Sequence, residues 1–379
     1  MRSAVPILDI DPFWDQWLAE PYARHDQLHA AGAVFFIPKY EIFGMARYEE
    51  VNATLRNPQD FCSGRSVGLE QIVDPNKHWR PPSLLLETDP PLHDLTRSVV
   101  NRVVNVAALE SLRAIWKTTA EEMIPSLCTK GRIDAVPELA EAFPIKVFGD
   151  AVGIGPGGRG NLLALGSLAL EVVGPRTERV ERALAEAGML TAWSTAASQR
   201  SALAPGGFGL NIYAAVDRGE ITESQAALLV RSLLSAGVDT TVSGIGAALH
   251  AFATNPAQWS VLRSRPELAK SALDEVLRWD SVVQCFFRTT TRDVQVAGVD
   301  IPNESKIMLF FAAANGIRTG GRTLTNSTLP AVTQGSWALV PASMRVLVRW
   351  SPVSRWKQFC RRYSSTSVPS NSLARPDDA

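Results

Sequence analysis

Residues 233–250, LLSAGVDTTVSGIGAALH, are apolar around the whole helical circumference: Leu233, Leu234, Val238, Val242, Ile245 and Leu249 leave no clearly polar face. A helix of that kind is enclosed by protein on all sides, so the rest of the chain must be arranged around it. Its middle is interrupted. Gly237 costs about 1 kcal/mol relative to Ala in a helix interior, and Asp239 carries a carboxylate that is expensive to bury without partners. Thr240 and Thr241 follow, and threonine hydroxyls bond carbonyls one turn back and bend or loosen a helix. The expectation is one core helix with a groove beside an acid and an alcohol, suited to a small ligand and a proton path. A helix with one satisfied polar turn accounts for the same residues.

The chain has 379 residues, enough for a sizeable core in one large domain or two. Lys plus Arg and Asp plus Glu both number 38, so no global field points to nucleic acid or an anionic membrane as partner. That balance conceals two unlike parts. Residues 316–379 hold nine basic and two acidic side chains, whereas residues 1–315 hold 29 and 36. Cys62, Cys128, Cys285 and Cys360 show neither paired metal-ligand spacing nor a disulfide framework, and no N-terminal apolar run reads as a signal peptide. A cytoplasmic location is expected. The most apolar stretch, 162–174, is interrupted by Glu171 and too short to span a bilayer, so no membrane is expected.

In chain order, 6–29 reads as a helical lead-in, 34–37 and 41–45 as a hairpin, and 48–55 as a helix. Residues 64–83 are irregular and carry Trp79-Arg80-Pro81-Pro82-Ser83. In Glu87-Thr88-Asp89-Pro90-Pro91, Asp89 is placed to cap a helix and the prolines suit its first positions. His93 and Arg97 then lie four apart, on one face, where two cationic donors suit a carboxylate; a solvated helix face explains them as well. Amphipathic helices are predicted over 107–126, 135–152, 161–173 and 177–203, with a break at 204–209 and a short helix around 212–216. Residues 267–280 form a strong helix pattern with Glu275 and Arg278 at i,i+3, and 285–315 reads as short strands with turns at Gly298 and Pro302-Asn303. The fold class expected is mainly α with a small β region.

Ala236-Gly237-Val238-Asp239-Thr240-Thr241 resembles the oxygen-activating motif on the long central helix of the cytochrome P450 family. DPPLHDLTR resembles that family's helix whose His and Arg bind a haem propionate, and Glu275-x-x-Arg278 its ExxR pair beneath the haem. The resemblance runs almost through Asn315. It implies a cytochrome P450 fold, a haem b cofactor with iron held by a Cys thiolate, and insertion of one oxygen atom from dioxygen into a substrate. It implies Asp239 and Thr240 as the acid and alcohol that deliver protons, His93, Arg97 and Arg288 as propionate ligands, and Glu275 and Arg278 as a structural pair. Ferredoxin and ferredoxin reductase would be the electron donors. Phe286 and Phe287 read as packing residues on a segment that the family places along its substrate cavity. The WRPPS string and the central-helix serines look like those of members that oxidise para-substituted benzoates. On that resemblance Arg80, Ser83, Ser232 and Ser235 would hold the substrate carboxylate. Loop packing for Arg80 and Ser83, and bonding to the helix backbone for the serines, is the alternative.

After Asn315 the resemblance stops. The family continues with Arg-Asp-Pro and later a Phe-x-x-Gly loop ending in the axial Cys, where this chain has Gly-Ile-Arg-Thr-Gly-Gly. Residues 316–379 lack Glu, contain sixteen Ser and Thr, and show no helical or strand period. They read as a disordered basic tail or as the product of a shifted reading frame. Loss of one base after the Asn315 codon would permit Arg-Asp-Pro directly afterwards. Across 337–350 it would permit Gly-Phe-Gly-Ser-Gly-Ile-His-Ala-Cys-Val-Gly-Gln-Met, with the Cys codon straddling Arg345 and Val346. The division expected is therefore 1–315, a truncated cytochrome P450-like domain, and 316–379, a frameshifted tail that supplies no metal ligand. As written the chain would be inactive for want of the axial Cys. Alternatives are a non-enzymatic remnant or a helical binding protein with a disordered basic tail.

Overall fold

The structure, a computed structural model, describes residues 4–72 and 79–316. Helices α1 (Asp15–Ala19) and α2 (His25–Ala30) lead into strands β1 (Phe35–Ile37) and β2 (Ile42–Met45), then α3 (Tyr48–Leu55) and β3 (Phe61–Cys62). The helical body follows: α4 (Leu92–Val103), α5 (Val106–Cys128), α6 (Ala142–Val152), α7 (Asn161–Glu171), α8 (Glu178–Ala185), α9 (Ala187–Ala197), α10 (Phe208–Asp217), α11 (Glu223–Ala236), α12 (Asp239–Thr254), α13 (Pro256–Ser264) and α14 (Ala269–Trp279). Strands β4 (Cys285–Thr290), β5 (Val294–Val296), β6 (Val299–Ile301) and β7 (Lys306–Phe310) and the turn α15 (Phe311–Ala314) come last. The architecture is mainly α with a small β region, as expected.

Local chemistry explains several boundaries. At the start of α5 the Asn105 side chain accepts from the Ala108 amide, and Thr222 with Gln225 forms a reciprocal capping box at the start of α11. Helix α6 ends on Gly153 at φ 90°, a left-handed stop that glycine adopts without a Cβ penalty. Asp89 does not cap α4. Its carboxylate instead accepts the Ser63 and Gly64 amides, both at 2.8 Å, and so ties the approach to α4 onto the end of β3. The run predicted over 177–203 divides into α8, α9 and a 3-10 turn, and that over 135–152 opens with a π turn, Val136–Glu141, before α6.

The larger sheet runs β1-β2-β7-β4-β3. The expected hairpin β1–β2 pairs antiparallel, and β7 lies parallel to β2 with Gly44 opposite Met308, so distant parts of the chain share one sheet. The β5–β6 hairpin turns at Ala297 and Gly298, both with positive φ, the geometry that matches strand twist. One apolar core lies on this sheet around Phe35, Met45, Phe287 and Leu309, and a second lies among the helices around Phe148, Leu168, Leu229 and Leu234. A cavity opens where they meet, with Val67, Val173 and Phe286 from the first and Leu165 from the second in its wall.

Candidate functional site

The single helix expected over 233–250 is two helices. Helix α11 stops at Ala236 and α12 starts at Asp239, with Gly237 and Val238 between them. The cause is the interruption visible in the residues. Thr240 donates its hydroxyl to the Ala236 carbonyl and Thr241 to the Gly237 carbonyl, both at 2.9 Å, so the side chains occupy carbonyls at the break. Gly237 is needed for packing. A Cβ there would lie 2.0 Å from the Phe148 ring, which α6 drives into the gap.

Asp239 is half-buried, and burial pushes its carboxyl above the ordinary carboxylate range. Ser167 on α7 opposes this by donating its hydroxyl to Asp239 Oδ1 at 3.0 Å. The preceding residue permits the approach, since a Cβ on Gly166 would come within 2.6 Å of Asp239 Cβ. Thr240 reaches the cavity wall; Ser167 had no signature in the sequence because its partner lies 72 residues away.

Arg80, Ser83, Ser232 and Ser235 all border that cavity. Ser83 and Ser232 meet across it, their hydroxyl oxygens 3.2 Å apart. Ser232 Oγ also donates to the Leu228 carbonyl at 2.9 Å, and Ser235 donates to the Ser232 carbonyl at 3.3 Å, so both serines also bond their own helix. Arg80 is not a free cation: its guanidinium stacks over the Trp79 ring, 5.0 Å from the centroid, and Nη1 pairs with Glu87 Oε2 at 2.7 Å. The same Glu87 oxygen accepts the Ser83 amide at 2.8 Å.

Arg231 is the residue that sequence reasoning missed. It is only 6% exposed, borders the cavity, and donates to the Pro81 carbonyl. Among the described residues no carboxylate stands within ion-pairing distance of it. Burial, with Arg80 close by, pushes its guanidinium down to about 10, while Glu87 pulls the other way. A signal was present. Arg231 is the lone charge in Leu228-Leu229-Val230-Arg231-Ser232-Leu233-Leu234, where a cation is retained only with a partner or a task. Thr191 on α9 adds to the same wall a buried hydroxyl that has no hydrogen-bond partner among the described residues.

His93 and Arg97 project from one face of α4, with His93 Nδ1 3.2 Å from the Asp94 carboxylate. Arg288 on β4 donates to the Phe287 carbonyl, and burial pushes its guanidinium down to about 10, with Asp89 and Cys62 acting against that. Asp89 is bonded to the amides that follow β3, and β3 pairs with β4, so its charge acts on Arg288 in favour of the guanidinium cation. Phe286 faces the cavity, whereas Phe287 is fully buried and stacks on Phe13. Beneath α12, Glu275 and Arg278 form a bidentate pair at 2.6 and 2.8 Å, and Arg278 Nη1 reaches the Asn315 carbonyl at 3.0 Å.

Comparisons with known proteins agree with this architecture. No protein-family model matches the chain. It is 46% identical over 314 residues to cytochrome P450 CYP199A2 of Rhodopseudomonas palustris, which covers 83% of this chain and 76% of that protein. The β-dihydromenaquinone-9 ω-hydroxylase of Mycobacterium tuberculosis is 26% identical over 326 residues, covering 83% of this chain but 64% of the relative. Among solved structures, cytochrome P450 CYP109Q5 from Chondromyces apiculatus superposes with TM-score 0.75 at 24% identity over 93% of this chain and 90% of its own. P450BioI in complex with a hexadecenoyl acyl carrier protein does so with TM-score 0.78 at 20% identity, over 92% and 93%. No helix among the described residues is long and apolar enough to cross a membrane. Identity of this extent to CYP199A2, together with the same fold, means that the chain belongs to the cytochrome P450 family of haem monooxygenases.

Proposed function

We propose that this gene encodes a monooxygenase of small aromatic carboxylic acids such as para-substituted benzoates. The observation that carries the reading is the convergence of two guanidiniums, the half-buried Arg80 and the buried Arg231, with the paired hydroxyls of Ser83 and Ser232 on a cavity that Thr240 also borders. Forked cations beside hydroxyl donors suit a carboxylate. Leu165, Leu170, Val173 and Phe286 offer an apolar wall for a ring.

The chemistry of the distal residues fits haem b: His93, Arg97 and Arg288 would hold its propionates, and Arg288 is a guanidinium that burial disfavours unless an anion faces it. When bound, haem supplies activation of dioxygen. The chain's residues orient the acid at Arg231 and Ser83, exclude water with the apolar wall, and hold a proton at Asp239 for passage through the Thr240 hydroxyl. The axial ligand does not fit any described cysteine. Burial pushes the Cys285 thiol up to about 12 and raises that of Cys62, against thiolate formation, and Cys128 is exposed at the end of α5.

We infer that the ligand was encoded in the frame lost after Asn315, that 1–315 is the cytochrome P450-like domain, and that the chain as written is an inactive remnant. Residues 317–379 lie outside the described residues. A ferredoxin with its reductase is the electron source we assign to the intact enzyme. Titration calorimetry with 4-methylbenzoate and its methyl ester tests the substrate class. The acid is expected to bind at least tenfold more tightly than the ester, and Arg231→Gln to remove that preference; equal binding of acid and ester by the unaltered chain contradicts the reading.

A further inference from the structure

The carboxylate reading leaves Glu87 unexplained, since a buried anion in an anion site repels the ligand. Glu87 is 6% exposed, and its Oε2 accepts from both Arg80 Nη1 and the Ser83 amide. Among the described residues of the cavity wall the ionisable side chains are Arg80, Arg231 and Glu87. Two cations and one anion give the described residues of the wall a single positive charge. Lys306 stands behind the wall, where its ammonium donates to the Ser66 carbonyl at 3.2 Å, and Asp239 faces Ser167.

We propose that Glu87 sets the charge of the ligand: it neutralises one guanidinium, so that the cavity accepts a monoanionic aryl acid and rejects a dianionic aryl phosphate. The proposal rests on the carboxylate reading above and deepens it. A monoanion brought to a wall of charge +1 leaves the buried ensemble neutral. A dianion leaves one uncompensated negative charge in a medium that solvates it poorly. Glu87 also serves geometry, because the oxygen that neutralises Arg80 fixes the Ser83 amide beside the Ser83 hydroxyl. Glutamine at this position keeps an acceptor for that amide and deletes only the charge. The wall then carries +2, which a dianion matches and a monoanion does not.

The test is titration calorimetry of the full chain with 4-methylbenzoate and 4-methylphenyl phosphate at about pH 8, above the second phosphate ionisation near pH 6. The unaltered chain is expected to prefer the benzoate at least tenfold, and Glu87→Gln to shift the phosphate-to-benzoate affinity ratio at least tenfold toward the phosphate. The double variant Arg80→Gln, Glu87→Gln restores +1 and is expected to restore the benzoate preference. A ratio unchanged within threefold in Glu87→Gln, with benzoate still bound by the unaltered chain, overturns the role of Glu87 and leaves the carboxylate reading standing. Absence of benzoate binding by the unaltered chain overturns both. Should circular dichroism show Glu87→Gln unfolded, Arg231→Gln, with a wall of zero charge, is expected to bind neutral 4-methylbenzamide at least as tightly as the benzoate; a retained tenfold benzoate preference contradicts the proposal.

Discussion

At Asp239, burial and one contact across 72 residues act on the same carboxyl in opposite senses. Burial raises its pKa above the ordinary 3.8, so over the window above 3.8 the folded chain keeps a proton that the unfolded chain has released. Stability therefore falls as pH rises through that window, and Asp239→Asn is expected to flatten the slope in denaturant unfolding. Ser167 stabilises the carboxylate. Ser167→Ala is accordingly expected to move the Asp239 titration to higher pH, read from the infrared carboxyl band that Asp239→Asn abolishes; no upward movement contradicts the pairing. Lys306 has the opposite sign. Burial lowers its ammonium from the ordinary 10.5 to about 8, so stability rises with pH between those values. Lys306→Met is expected to remove that rise, up to roughly 3 kcal/mol.

At the scale of elements, the α11–α12 break depends on a ring from α6 as much as on the threonines. Gly237 caps α11 with helical φ and ψ that alanine also adopts, yet the methyl added in Gly237→Ala would overlap Phe148. Overpacking of this kind costs about 1–3 kcal/mol, and net destabilisation is expected in urea unfolding. Arg278→Ala strands a Glu275 that is 7% exposed and frees the Asn315 carbonyl, a loss of about 3–5 kcal/mol on the same measure. The interruption at Gly237 and Asp239 was legible in the sequence, but its division into two helices was not, because Phe148 comes from 89 positions upstream. Asp89 was misread for a similar reason. Local spacing favoured a cap, and the amides of Ser63 and Gly64 competed successfully for the same oxygens. The serines and Arg80 were singled out from the sequence and border the cavity, and Arg231 carried a signal that went unread, whereas Glu87 carried none, since its place in the wall depends on how residues 79–87 pack on α11.

Across the whole molecule, the described residues, 4–72 and 79–316, contain two apolar cores with the cavity between them, and Asp239, Thr240, His93, Arg97 and Arg288 all lie among them. On the reading proposed above, the axial ligand is the part lost from the written frame. We attribute that loss to a single base after Asn315, and the most direct test is the ferrous carbonyl spectrum of the chain expressed in both frames. With the frame restored, stoichiometric haem and a thiolate-type carbonyl band are expected, and the chain as written should give neither. A thiolate-type band from the chain as written, or none from the restored chain, would contradict it.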